Sequence, residues 1–128
     1  MILNLSELSD EPLHAQISRQ IRAKILSQDL DGGAPLPSIR GMAREQRVSV
    51  ITVQRAYEDL EQEGLVHTKR GKGFFVSRLS DRRRSELARR RFDEAFKPVL
   101  AGALAEGLTA TEIEEMVRYI IERKGDRT

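Results

Sequence analysis

The side chains able to do chemistry in this chain are of a restricted kind. It contains no cysteine, which removes a thiol nucleophile, thiolate zinc, iron–sulfur clusters and disulfides together. Its two histidines, His14 and His67, stand outside any Ser/His/Asp or metal-ligand spacing, and no glycine-rich loop opens a helix as phosphate cradling requires. No catalytic residue, metal site or cofactor is expected, and both histidines read as structural or solvated. What remains is a set of cations and hydrogen-bonding groups: Arg40, then Ser49, Thr52, Gln54 and Arg55 within one turn and a half, then Arg70-Gly71-Lys72. Cations interleaved with hydroxyls and amides suit a polyanion whose edges carry donors and acceptors, which is the chemistry of duplex recognition.

The charge is distributed accordingly. The net charge of +2 over 128 residues hides a segregation. Residues 1–37 hold three Lys/Arg against five Asp/Glu, residues 38–91 fourteen against seven, and residues 92–128 five against eight. A basic middle between acidic ends suits a polyanion-facing module, although a solvated basic face is the plainer reading of charge alone. The length fits one domain or a small domain with an appendage. No apolar run approaches the roughly 20 residues of a membrane span. The first residues have no basic and apolar leader pattern, so a cytoplasmic home is the default expectation.

These residues need elements to position them. Asp10-Glu11-Pro12 reads as a helix start, with acidic residues at the positive end of the dipole and Pro in the first turn. Leu13, Ile17, Ile21, Ile25 and Leu26 recur at helical spacing to about Gln28. Residues 29–37 hold two Gly and two Pro and form a stiff non-helical connector. Ser38 is a natural N-cap for a short helix through Gln46, with Ile39, Met42 and Ala43 inward, and Ser49 for a third from Val50 to Glu63, with Val53, Ala56, Tyr57 and Leu60 inward. Gly64 closes that helix in the left-handed position. Residues 65–69 and 73–77 are β-prone runs around Arg70-Gly71-Lys72, a hairpin with a basic tip. From Ser80 an Arg-rich helix begins, its triplets Arg82-Arg83-Arg84 and Arg89-Arg90-Arg91 seven residues apart. Its apolar stripe is Phe92, Ala95, Phe96, Val99, Leu100, Ala103 and Leu104, with a kink expected at Pro98. Gly107 ends it. Thr109 and Glu112 make a capping box for a last helix, whose stripe is Ile113, Met116, Val117, Ile120 and Ile121.

Three helices followed at once by a hairpin is the order of a winged helix-turn-helix. The expected fold is mainly α with one small β-hairpin: a DNA-binding winged helix over residues 1–78 and a C-terminal two-helix segment over residues 79–128. The third helix carries hydrogen-bonding groups in its N-terminal half and Glu58, Asp59, Glu61 and Glu63 in its C-terminal half. Phosphates repel the second half, so the N-terminal end is the one expected to enter the major groove. The tip Arg70-Gly71-Lys72 offers two cations to phosphate or minor groove.

At these residues the sequence resembles the GntR family of bacterial transcriptional regulators. Leu36-Pro37-Ser38-Ile39-Arg40, Val48-Ser49, Thr52-Val53-Gln54-Arg55-Ala56-Tyr57, Leu60 to Val66 and Arg70 to Val76 match that family's N-terminal domain in order and spacing, and the likeness covers about residues 10–77. The short remainder resembles the YtrA subfamily, which implies dimerisation by a helical pair and genes that often neighbour ABC transporters. The resemblance implies DNA contacts at Arg40, Ser49, Thr52, Gln54, Arg70, Gly71 and Lys72, to which Arg55 is added by its place in the N-terminal half of the third helix. It also places Val50 where many relatives carry a DNA-reading Arg, Ile51 where a polar residue is common, and Arg47 where Gly is usual. An apolar residue at such a position meets a thymine methyl more readily than a guanine. Gly41 replaces a usual Glu, so the capping box of the second helix is incomplete.

The expected function is therefore a sequence-specific transcriptional regulator, a repressor, binding an inverted repeat as a homodimer. The dimer is expected through Phe92, Phe96, Val99, Leu100, Leu104, Ile113, Met116, Val117 and Ile120, because a two-fold partner doubles the contacts of one winged helix. The same stripes would otherwise close a monomeric hairpin. A winged helix that binds an acidic protein is the competing reading, and the arginine triplets either meet flanking phosphates or hydrate a helix face. A small-molecule effector, if there is one, has to enter the helical pair or the space between subunits.

Overall fold

The computed structural model describes residues 1–125. Its elements are α1 (Leu13–Leu26), α2 (Ile39–Gln46), α3 (Val50–Gln62), β1 (Val66–Lys69), β2 (Gly73–Val76), α4 (Asp81–Ala105) and α5 (Ala110–Gly125). They form two compact units, Met1–Glu86 and Leu87 onward, and α4 is shared between them.

In the first unit the apolar stripes meet as their periodicity requires. Ile17, Ile21 and Ile25 of α1, Met42 and Ala43 of α2, and Val53, Ala56, Tyr57 and Leu60 of α3 are buried, together with Leu36, Leu65, Val66 and Val76. Two corrections concern α1. Pro12 lies outside it as the extended cap residue, and the helix ends at Leu26, two residues short of Gln28, which takes a left-handed φ of 68°. Glu11 does not sit in the first turn; its carboxylate instead grips the Arg19 guanidinium, Nε to Oε2 at 3.0 Å and Nη2 to Oε1 at 2.9 Å. That cation holds the Glu11 carboxyl below its ordinary range.

The segment before α1 is held by two glutamines. The Gln20 amide donates to the Asn4 carbonyl at 2.7 Å and accepts from the Asn4 N–H at 2.8 Å. The Gln16 amide does the same with Ser6, at 2.9 Å each way. Each side chain thereby substitutes for a paired strand and satisfies backbone groups that have no regular partner.

β1 and β2 pair antiparallel in the register Val66 to Val76 and Lys69 to Gly73. The connector is more ordered than its Gly and Pro content suggests. Gly33 N–H donates to the Val76 carbonyl and Val76 N–H to the Ala34 carbonyl, both at 2.8 Å, and Leu36 N–H donates to Phe74 at 2.9 Å. With the bridge between Pro35 and Phe75, β2 lies between β1 and the connector.

Both predicted N-caps of the helix-turn-helix form. Ser38 Oγ accepts from Gly41 N–H at 3.0 Å, and Ser49 Oγ accepts from Thr52 N–H at 3.0 Å. α2 has the expected bounds, and α3 ends one residue early, at Gln62. The turn between them is a Schellman closure: Val48 N–H reaches the Ala43 carbonyl at 3.0 Å and Arg47 N–H the Arg44 carbonyl at 3.3 Å. It places Arg47 at φ 57°, a conformation costly for a residue with a Cβ. Gly64 takes the corresponding position after α3, at φ 78°.

In the second unit, α4 continues through Pro98; Pro98 has no N–H to donate, so the Glu94 carbonyl loses its i+4 partner. Gly107 closes α4 at φ 99°. The Thr109–Glu112 box forms in both directions, each backbone N–H meeting the other's side chain at 3.1 Å. No described residue of α4 or α5 is buried.

Candidate nucleic-acid interface

The site is built around the outward face of α3. Since Val53, Ala56, Tyr57 and Leu60 point inward, helical geometry turns Ile51, Gln54, Arg55 and Glu58 to the opposite side, while Val50, three residues before Val53, flanks the inward stripe in the first turn. All five are exposed. Ser49 and Thr52 hold the helix start, their hydroxyls 2.8 Å apart. The Gln54 amide donates to Glu58 Oε1 at 3.1 Å, which leaves its carbonyl oxygen outward as an acceptor. Arg55 is exposed and has no side-chain partner among the described residues.

Tyr57 positions this face relative to its neighbours. Its hydroxyl donates to the Pro37 carbonyl at 2.8 Å, fixing the residue before the Ser38 cap, and its ring meets Phe74 of β2 edge-on at 4.9 Å. Burial pushes its pKa far above the ordinary phenol value, so the hydroxyl remains a donor.

The acidic end of α3 is used internally. Glu63 pairs with Arg22, Asp59 Oδ2 lies 3.5 Å from His14 Nδ1, and Glu61 accepts from the Thr68 hydroxyl at 3.4 Å. His14 is thus a packing residue between α1 and α3. Cations free of partners among the described residues lie at the other end: Arg40 and Arg44 one turn apart on α2, and Arg47 in the turn, all exposed. Arg44 was not among the sequence candidates, although its spacing of four from Arg40 signals a shared face. Ile51 was noted only as a departure, yet it is the most exposed apolar residue of α3, at 69%.

At the hairpin tip Lys72 N–H donates to the Lys69 carbonyl at 2.8 Å, with Gly71 at φ 74°. Arg70, Gly71 and Lys72 are exposed, whereas Lys69 Nζ sits 4.6 Å above the Phe75 ring. The first arginine triplet is engaged within the protein. Arg84 donates to the Leu79 carbonyl at 2.7 Å and pairs with Asp81, while Arg82 and Arg83 both reach Glu86.

The expected dimerisation residues separate into two sets. Phe92, Phe96, Leu100, Leu104, Ile113 and Val117 line an apolar groove of about 700 Å³ between α4 and α5. Met116 and Ile120 line a shallower depression with Tyr119, and Val99 is exposed outside both.

A three-helix core with a helix-turn-helix, a hairpin wing and an outward helix flanked by cations is a winged helix-turn-helix DNA-binding module. The model of the family described as "Bacterial regulatory proteins, gntR family" matches residues 13–76. The chain belongs to the GntR family and is a DNA-binding transcriptional regulator. It is 32% identical over 118 residues to the HTH-type transcriptional regulator YhcF of Bacillus subtilis, covering 89% of this chain and 93% of that one. It is 27% identical over 119 residues to the HTH-type transcriptional repressor YtrA of the same organism, covering 93% and 92%. Among solved structures, YtrA from Sulfolobus acidocaldarius, a GntR-family transcription factor, superposes with a TM-score of 0.64 at 27% identity, covering 82% of this chain and 99% of that one. No helix among the described residues is long and apolar enough to cross a membrane.

Proposed function

We propose that the protein is a transcriptional repressor that binds an inverted-repeat operator as a homodimer, with residues 1–78 as the DNA-binding domain and 79–128 as the dimerisation segment. The observation that carries the DNA half is the polarity of α3. Its N-terminal face is exposed and flanked by unpaired cations, and its acidic end is consumed by α1 and β1. Arg40 meets the backbone or a base and the wing residues Arg70, Gly71 and Lys72 meet phosphate or minor groove, while Ser49, Val50, Thr52, Gln54 and Arg55 serve the major groove. The dimer half rests on the second unit, where no described residue is buried and Phe92 and Val99 remain 66% and 64% exposed. Two helices so uncovered need a partner surface, and a second copy supplies a complementary one under two-fold symmetry. Repression follows the similarity to YtrA; a transporter operon as target follows the YtrA-like resemblance alone. A small-molecule effector would act at the groove between α4 and α5 or across the subunit interface.

The test is a mobility shift of the purified chain on the region upstream of its own gene against a scrambled fragment, across a salt series. Tight binding of the first fragment alone, persisting toward physiological salt, is expected for a self-regulating operator reader. Equal binding of both fragments that vanishes with salt would leave only a basic surface.

A further inference from the structure

We propose that Ile51, with Val50 beside it, reads the 5-methyl group of thymine, so that sequence discrimination at the tip of α3 is apolar. The inference rests on the DNA-binding reading above and deepens it. Several of the polar groups around this tip are already engaged, although Arg55 and the Gln54 carbonyl oxygen stay open one turn further on. Ser49 Oγ accepts from the Thr52 N–H and shares a hydrogen bond with Thr52 Oγ1. The Gln54 amide nitrogen is tied to Glu58. Between them Ile51 is 69% exposed on the outward face in the first turn of the helix, and Val50, on the flank of the inward stripe, is 45% exposed. Two adjacent β-branched residues held out of the core are costly in water, and β-branching fixes their rotamers, so little side-chain entropy is lost on contact.

In a major groove the one apolar group on a base edge is the thymine methyl. Covering it with Ile51 removes two apolar surfaces from water and leaves no protein donor unsatisfied. An adenine or guanine edge at the same place would face methyl groups with unpaired acceptors. The occupant is therefore an A·T pair with its thymine toward Ile51.

The experiment selects duplexes from a random pool with the full chain, then replaces each thymine of the enriched half-site singly by deoxyuridine, which lacks only the methyl. Wild type is expected to lose affinity about four-fold at one or two positions, the worth of one buried methyl group. The Ile51→Ala variant, altered at an exposed residue and checked for an unchanged unfolding midpoint, is expected to show no penalty at one of those positions. A wild type indifferent to deoxyuridine everywhere overturns the inference, as does an Ile51→Ala variant with the full penalty at each position. Those outcomes leave operator binding intact. A pool that enriches nothing defeats operator binding and this inference together.

Discussion

The guanidinium of Arg22 on α1 clasps the carboxylate of Glu63 at the end of α3, Nε to Oε2 at 2.7 Å and Nη2 to Oε1 at 2.5 Å. The two residues are 41 positions apart, and Arg22 is almost fully enclosed. The pair ties the first and third helices at the end of the recognition helix remote from its outward tip. Removing one partner leaves a buried charge, which costs more than the intact pair contributes. Glu63→Ala is expected to lower unfolding free energy by about 2–3 kcal/mol in urea titrations. The double variant Arg22→Met, Glu63→Leu should recover most of that loss, and a double variant as unstable as the single one would refute the account.

Arg47 carries a side chain in a left-handed turn. Arg47→Gly should relieve part of a strain of about 1 kcal/mol, offset by the greater unfolded-state freedom of glycine. The expected result is a modest rise in unfolding midpoint. At Gly64, φ 78°, the reverse change Gly64→Ala should lower the midpoint by several degrees, since about 1 kcal/mol corresponds to roughly 4–8 °C in a domain of this size. Equal and same-signed shifts at the two sites would contradict the conformational argument.

Gly64 was legible in the sequence as a helix closure and Arg47 only through the family resemblance, whereas the three helix starts were legible because Ser38, Ser49 and the Thr109–Glu112 pair carry caps whose partners lie three residues away. Information that local can be read without a fold. The pairing of Gly33, Ala34 and Leu36 with β2 was not legible, since Gly and Pro depress strand propensity and only the tertiary fold brings that edge alongside. The Gln16 and Gln20 clasps are likewise invisible, being side chains that imitate a strand. At the site, residue types indicated which surface faces outward. They did not indicate that the Ser49 and Thr52 hydroxyls serve each other, because a cap and a base contact call for the same residues.

Phosphate and base contacts should separate in solution. Lys72→Ala is expected to weaken binding on any duplex and to reduce the magnitude of the slope of log K against log salt by about 0.9, one B-DNA phosphate. Arg40→Ala should cost operator binding without altering the fold, as seen by circular dichroism. A Lys72→Ala slope equal to wild type rules out that residue as a phosphate contact.

The second unit predicts an assembly. Val117→Glu, placing a charge in the groove between α4 and α5, should convert a dimer to a monomer in sedimentation and remove the concentration dependence of the unfolding midpoint. A wild-type monomer at micromolar concentration, with and without DNA, would overturn the dimer.

The connector's attachment to β2 makes the wing and the entrance to α2 one mechanical piece. Leu36, hydrogen-bonded to Phe74, is followed by Pro37, whose carbonyl Tyr57 holds, and by the Ser38 cap. A displacement of the wing is therefore transmitted through the connector to the cap that starts the helix-turn-helix. Changes at the hairpin tip and on α3 are then expected to couple rather than add, so the length of the hairpin loop becomes a means of retuning the presentation of α3 without touching α3 itself.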